Sequence, residues 1–66
     1  MNNPIKIAVD AMGGENSPYK VVKGIEIHFL KSKNIFYNIF GNKNKILPII
    51  QKTKISNQNY KIIHTE

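Results

Sequence analysis

The residues able to do chemistry crowd near the start of the chain. Asp10, Met12, Gly13, Gly14, Glu15, Asn16 and Ser17 stand between a β-branched run and Pro18. Paired glycines leading into a helix expose backbone N–H groups, and the helix dipole adds partial positive charge, so phosphate or another oxyanion is a natural occupant. Gly13, Gly14, Asn16 and Ser17 are therefore the candidate phosphate- or oxyanion-binding residues, with Asp10 as the candidate catalytic carboxylate. The spacing fits neither G-x-x-x-x-G-K-[ST] nor G-x-G-x-x-G, so neither a Walker A loop nor a dinucleotide fingerprint is present. Plainer uses stand beside these. Gly13-Gly14 can simply turn the chain. Asp10 can cap loop N–H groups. Ser17 reads more readily as a helix N-cap than as a nucleophile. Glu15 reads as a solvated loop charge or a first-turn carboxylate.

Two histidines complete the set. His28 falls at the edge of an apolar helical stripe and reads as a packed or exposed helical side chain. His64 follows the last strand at its carboxyl end, where ligands of open α/β sheets bind, although a structural role is the favoured reading there too. The two are too far apart in sequence to suggest a metal site, and the lack of cysteine excludes disulfides and thiolate metal ligation.

The ten basic residues are all lysine and give a net charge of +6, at first sight a polyanion binder. They are spread along the whole chain, and no arginine is present to read phosphate or base edges. A solvated lysine surface is the favoured reading and a nucleic-acid partner the disfavoured one. Apolar runs are far shorter than the roughly 18 residues of a membrane span. With no signal-peptide layout at Met1 to Ile5, the expected location is the cytoplasm.

These residues need elements to position them. Ile5, Ile7 and Val9 alternate with Lys6 and Ala8, which predicts a strand over 5–9, internal because Ala8 is small and apolar. Ser17 and Pro18 then open a helix to about Lys31, with Val21, Val22, Ile25 and Phe29 as its apolar stripe. Gly24 inside that helix costs about 1 kcal/mol against alanine, so close approach of helix to sheet is its expected reason. A second strand spans 35–40 and turns at Gly41-Asn42. A second helix spans 43–52, kinked or shortened by Pro48. Ser56 to Asn59 form a polar loop, and a third strand spans 60–64. The order is βαβαβ. It predicts an α/β fold, the N-terminal part of a doubly wound, Rossmann-like, mostly parallel sheet that is incomplete on its own. Residues 1–66 show no internal boundary, and 66 residues hide only about 60% of the surface of the unfolded chain.

At Ile7 to Pro18, IAVDAMGGENSP, the chain resembles the N-terminal signature of the bacterial phosphate acyltransferase (PlsX) family of phospholipid synthesis. That family opens with a strand, D-x-M-G-G-D, a short loop and a proline at the first helix. Asp10, Met12, Gly13, Gly14 and Pro18 match. Val21, Val22, Gly24 and Ile25 resemble its first helix, Phe40-Gly41-Asn42 its next turn, and Ile63-His64 with Glu66 the end of its third strand. Glu15 departs, standing where the family usually has aspartate. The likeness spans nearly all of this chain but only about the first fifth of family members.

The resemblance implies transfer of a fatty acyl group from the thioester of acyl carrier protein to inorganic phosphate, giving acyl phosphate for phospholipid synthesis. It implies no cofactor, a homodimer, and loose association with the membrane surface. In that reaction the amides around Gly13 and Gly14 hold phosphate or oxyanion and Asp10 orders the loop. The acyl groove and carrier-protein surface are expected mostly outside these residues, so the chain alone is expected to be truncated and inactive. The alternatives are a small basic nucleic-acid-binding module, which a steep salt dependence of binding would reveal, or a non-functional gene remnant.

Overall fold

A computed structural model describes residues 3–65; Met1, Asn2 and Glu66 lie outside the described residues. The elements run β1 (Ile5–Asp10), α1 (Tyr19–Lys31), β2 (Ile35–Gly41), α2 (Lys43–Ile50) and β3 (Tyr60–His64). All three strands are parallel, in the order β1-β2-β3. Two right-handed crossovers stepping the same way put both helices on one face of the sheet. The sheet is open, and this is a partial Rossmann-like α/β fold.

Burial follows that one-sided arrangement. Along β2, Ile35, Tyr37, Ile39 and Gly41 are buried, whereas the alternating Phe36, Asn38 and Phe40 are only half-buried. A period of two assigns the first set to the helix-covered face. Val22, Ile25 and Phe29 of α1 and Ile46 and Ile50 of α2 close over it, with Ile55 from the following loop and Ala11 from the end of β1. Val21, Leu47 and Ile49 flank this core half-buried.

Three expectations need correction, and a fourth, the shortening of the second helix, is met. β1 is the edge of the three-stranded sheet, not an internal strand, and Ala8 is exposed. The central position belongs to β2, whose run of β-branched and aromatic residues is the more apolar. Ser17 does not cap α1. The helix begins at Tyr19 after Pro18, no side chain caps its start, and the Ser17 hydroxyl instead donates to the carbonyl of Gly13. Gly24 makes no close approach to the sheet, because a Cβ placed there would meet nothing within 4 Å. α2 ends at Ile50, two residues short of Lys52. Pro48 lies inside it and has no N–H to give the carbonyl four residues back, which shortens the run of helical hydrogen bonds.

Glu26 is the one buried charged residue among the described residues, on the core-facing side of α1. Its Oε1 accepts from Lys23 Nζ at 2.8 Å and its Oε2 from the backbone N–H of Lys54 at 2.9 Å. The Lys23 hydrogen bond, then that from Lys54, holds the carboxyl below the usual carboxylate range. The same partnership raises the Lys23 ammonium. One carboxylate thus ties α1 to the loop before β3. Asn59, at the end of that same loop, does similar work, its Nδ2 donating to the carbonyls of Lys33 and Ile35 at the start of β2.

Candidate functional site

The ladder determines where the loop after β1 sits. Asp10 pairs with Phe40 and Gly41 with His64. Beyond the strands, Ala11 N–H still donates to Phe40 at 2.9 Å and Thr65 N–H to Gly41 at 2.9 Å. The carboxyl edge therefore carries Asp10 to Met12, Gly41 to Lys43, and His64 side by side, where ligands of open parallel sheets bind.

Met12 lies directly over Gly41. A Cβ built on Gly41 would fall 2.7 Å from Met12 Cγ and 2.8 Å from Ile46 Cδ1. Gly41 is needed for space, since its backbone is not in the left-handed region. Met12 and Gly41, far apart in sequence, thus form one contact that anchors the base of the glycine loop.

Above that anchor the loop orders itself locally. Asp10 Oδ1 accepts from the Met12 N–H at 3.0 Å, the capping role open to a strand-end aspartate. Its other oxygen, Oδ2, would lie 3.8 Å from a Cβ on Gly13. The Ser17 hydroxyl donating to Gly13 closes the loop back on itself. Gly14 has φ +90°, which suits glycine, and Asn16 has φ +60°, which asparagine tolerates best after glycine. The Ser17-Pro18 peptide is cis.

Asp10, Gly13, Gly14 and Ser17 are therefore drawn together, with Asn16 on the same loop. Gly13, Gly14, Glu15 and Asn16 are exposed, and Ser17 is half-buried. Among the described residues the N–H groups of Gly13 and Gly14 have no acceptor. The N–H groups of Glu15, Asn16 and Ser17 have none either, so the whole exposed turn, with the adjacent glycine amides at its head, carries uncommitted backbone donors at the carboxyl end of β1. No group of three or more potential metal ligands occurs among the described residues.

The two histidines have separate structural partners. His64 Nδ1 accepts from the backbone N–H of Lys43 at 3.0 Å, so its ring proton sits on Nε2 and its ring caps the start of α2 beside Asn42. His28 Nδ1 lies 2.7 Å from the hydroxyl of Tyr37, with the rings edge to face at 6.1 Å. Burial of Tyr37 raises its phenol above the ordinary value. Glu26 escapes a search for loop chemistry. Its signal is an acid on the core-facing stripe with lysine three residues before it.

A parallel α/β sheet with a glycine loop at its first carboxyl end is an architecture shared by proteins of many functions. Comparison with known sequences narrows it. The profile of the family described as "Fatty acid synthesis protein" matches residues 5–66, and the chain belongs to that family. A phosphate acyltransferase of Pelagibacter ubique is 50% identical over 66 residues, covering 100% of this chain and 19% of that protein. Those of Oenococcus oeni and Onion yellows phytoplasma are 45% and 42% identical over 98% and 92% of this chain, and 18% and 17% of their own lengths. The chain thus spans about a fifth of the length of these relatives.

Proposed function

We propose that this chain supplies the phosphate-holding segment of an acyltransferase that moves a fatty acyl group from acyl carrier protein to inorganic phosphate. The observation that carries the reading is the pair of uncommitted amides at Gly13 and Gly14. They stand in a loop whose base is fixed by Met12 on Gly41 and by Asp10 on the Met12 N–H. The relatives' name, phosphate acyltransferase, supports phosphate and an acyl group as the reacting parts.

The chemistry needs little else from this segment. A phosphate oxygen attacks the thioester carbonyl carbon, a C–O bond forms, and the C–S bond breaks. The carrier thiol departs with the proton that phosphate gives up. Holding phosphate in line with the carbonyl replaces a bimolecular encounter, a gain of several kcal/mol in well-oriented systems. Backbone donors aimed at the developing oxyanion lower the barrier further. In this scheme Gly13 and Gly14 donate to phosphate or oxyanion, Asn16 and Ser17 border them, and Asp10 keeps the loop in shape. Inorganic phosphate, acyl carrier protein and a second copy of the enzyme are the partners of the complete reaction, at the membrane surface and in the cytoplasm.

Gly13→Val tests it cleanly. Gly13 is not in the left-handed region, and a Cβ there meets only Asp10 Oδ2 at the ordinary distance of 3.8 Å. The substitution therefore obstructs the anion more than the fold. Phosphate titration followed by amide NMR should move the Gly13 and Gly14 signals in the parent and leave the variant unresponsive. Equal phosphate affinity in both proteins refutes the loop assignment.

A further inference from the structure

From the end of the glycine loop, at Asn16 and Ser17, a groove of about 960 Å³ runs along α1, lined by residues 16–20, Lys23, Gly24, Ile27 and Ile49. A smaller hollow of about 280 Å³ continues it across Pro48 and Lys52 of the α2 end, sharing Tyr19, Lys23 and Ile49. Tyr19, Lys23 and Ile27 are four residues apart on one face of α1. Tyr19 and Ile27 are each 58% exposed, more than large apolar side chains in a core-facing stripe would be. Gly24 forms a saddle between them, with nothing near its missing side chain. A helix can approach most closely where a facing residue is smallest, since side chains at the contact set interaxial distance.

The rim is cationic. Lys20, Lys23 and Lys52 border the apolar floor, and Lys23 alone is in a salt bridge among the described residues. With a chain charge of +6, pairing this face with a second copy would set lysine against lysine. A nucleic-acid backbone would leave the Tyr19–Ile27–Ile49 floor unused. We infer that this groove seats an acidic, amphipathic helix of a partner protein, its apolar side on Tyr19, Gly24, Ile27 and Ile49 and its carboxylates on Lys20 and Lys52. The inference deepens the proposed function by giving the donor's carrier protein a docking place, and it rests on that reading.

The probe is acyl carrier protein, titrated into the ¹⁵N-labelled full chain. Amide shifts should concentrate at Tyr19, Lys20, Gly24, Ile27 and Ile49, and added salt should weaken them. Gly24→Leu fills the saddle from an exposed helical position without touching the core. It should keep the fold and lower affinity at least about tenfold, as should Lys20→Glu with Lys52→Glu. Absence of binding, shifts centred elsewhere, or undiminished affinity in Gly24→Leu overturns the inference. So does preferential binding of duplex DNA, or of vesicles of anionic phospholipid, at these residues. A parallel titration with inorganic phosphate separates the two readings: Gly13 and Gly14 responding while the groove does not respond to carrier protein sinks the groove alone.

Discussion

Two glycines in this chain should answer the same substitution with opposite signs. At Gly41, a new Cβ would sit 2.7 Å from Met12 Cγ and 2.8 Å from Ile46 Cδ1, against about 3.5–4.0 Å for a relaxed carbon pair. Ile46 is fully buried and its methyl has nowhere to go, so Met12, 36% exposed, must give way. Overpacking of this kind costs about 1–3 kcal/mol. Stiffening the unfolded chain returns roughly 0.5–1 kcal/mol. With clashes on two sides, Gly41→Ala should lose about 1–2 kcal/mol net. At Gly24 a Cβ meets nothing within 4 Å in an exposed helix interior, and Gly24→Ala should gain about 1 kcal/mol. The two variants should therefore differ by about 2–3 kcal/mol, or roughly 8–24 °C in midpoint for a chain of this size. Thermal and urea unfolding followed by circular dichroism read the difference directly. Adding Met12→Ala to Gly41→Ala should recover part of the loss, with a coupling above about 0.5 kcal/mol. Gly41→Ala melting at or above the parent, or Met12→Ala adding its cost independently, would show that the two residues do not press on each other.

Two pH dependences follow from the buried groups. Glu26 is held below the usual carboxylate value by Lys23 and Lys54, so its contribution is present above the unfolded-state value and fades as pH falls through the folded one. Urea midpoints of the parent and Glu26→Gln should differ near pH 7 and converge as pH falls through the folded-state value; a gap that persists in acid would assign Glu26 a role independent of charge. Tyr37 is raised by burial, so its neutral phenol supports folding fully below pH 10.0, and that support is lost as pH rises through the folded value. Tyr37→Phe should flatten the alkaline loss of stability relative to the parent, and identical alkaline slopes would count against the phenol.

The parts of the fold readable from sequence were those that depend on local periodicity. The alternation at Ile5, Ile7 and Val9, the stripe at Val22, Ile25 and Phe29, and the β-branched run from Ile35 each mark an element whose residues signal independently of what they touch. Misreadings arose where meaning lies in a distant partner. A glycine inside a helix and a glycine after a strand look alike in sequence, and close packing was assigned to Gly24 when it belongs to Gly41. Ser17 had the right type for a cap, but a nearer acceptor at Gly13 took its hydroxyl. Internal or edge placement of β1 depends on strand order, which no local pattern in 5–9 encodes.

The candidate site shows why its motif was more legible than its mechanism. Asp10, Met12 and the glycine pair stand together in sequence, but three different contacts order the loop. Asp10 takes the Met12 N–H, Met12 rests on Gly41, and Ser17 takes the Gly13 carbonyl. A polar loop left alone would turn its N–H groups inward onto nearby side-chain oxygens. Here Asp10 Oδ1 accepts from the Met12 N–H and the Ser17 hydroxyl donates to the Gly13 carbonyl, and neither side chain accepts from Gly13 or Gly14. The glycine amides thus stay uncommitted beside neighbours that are paired, and the contact of Met12 with Gly41 ties the base of the loop to the register of the central strand.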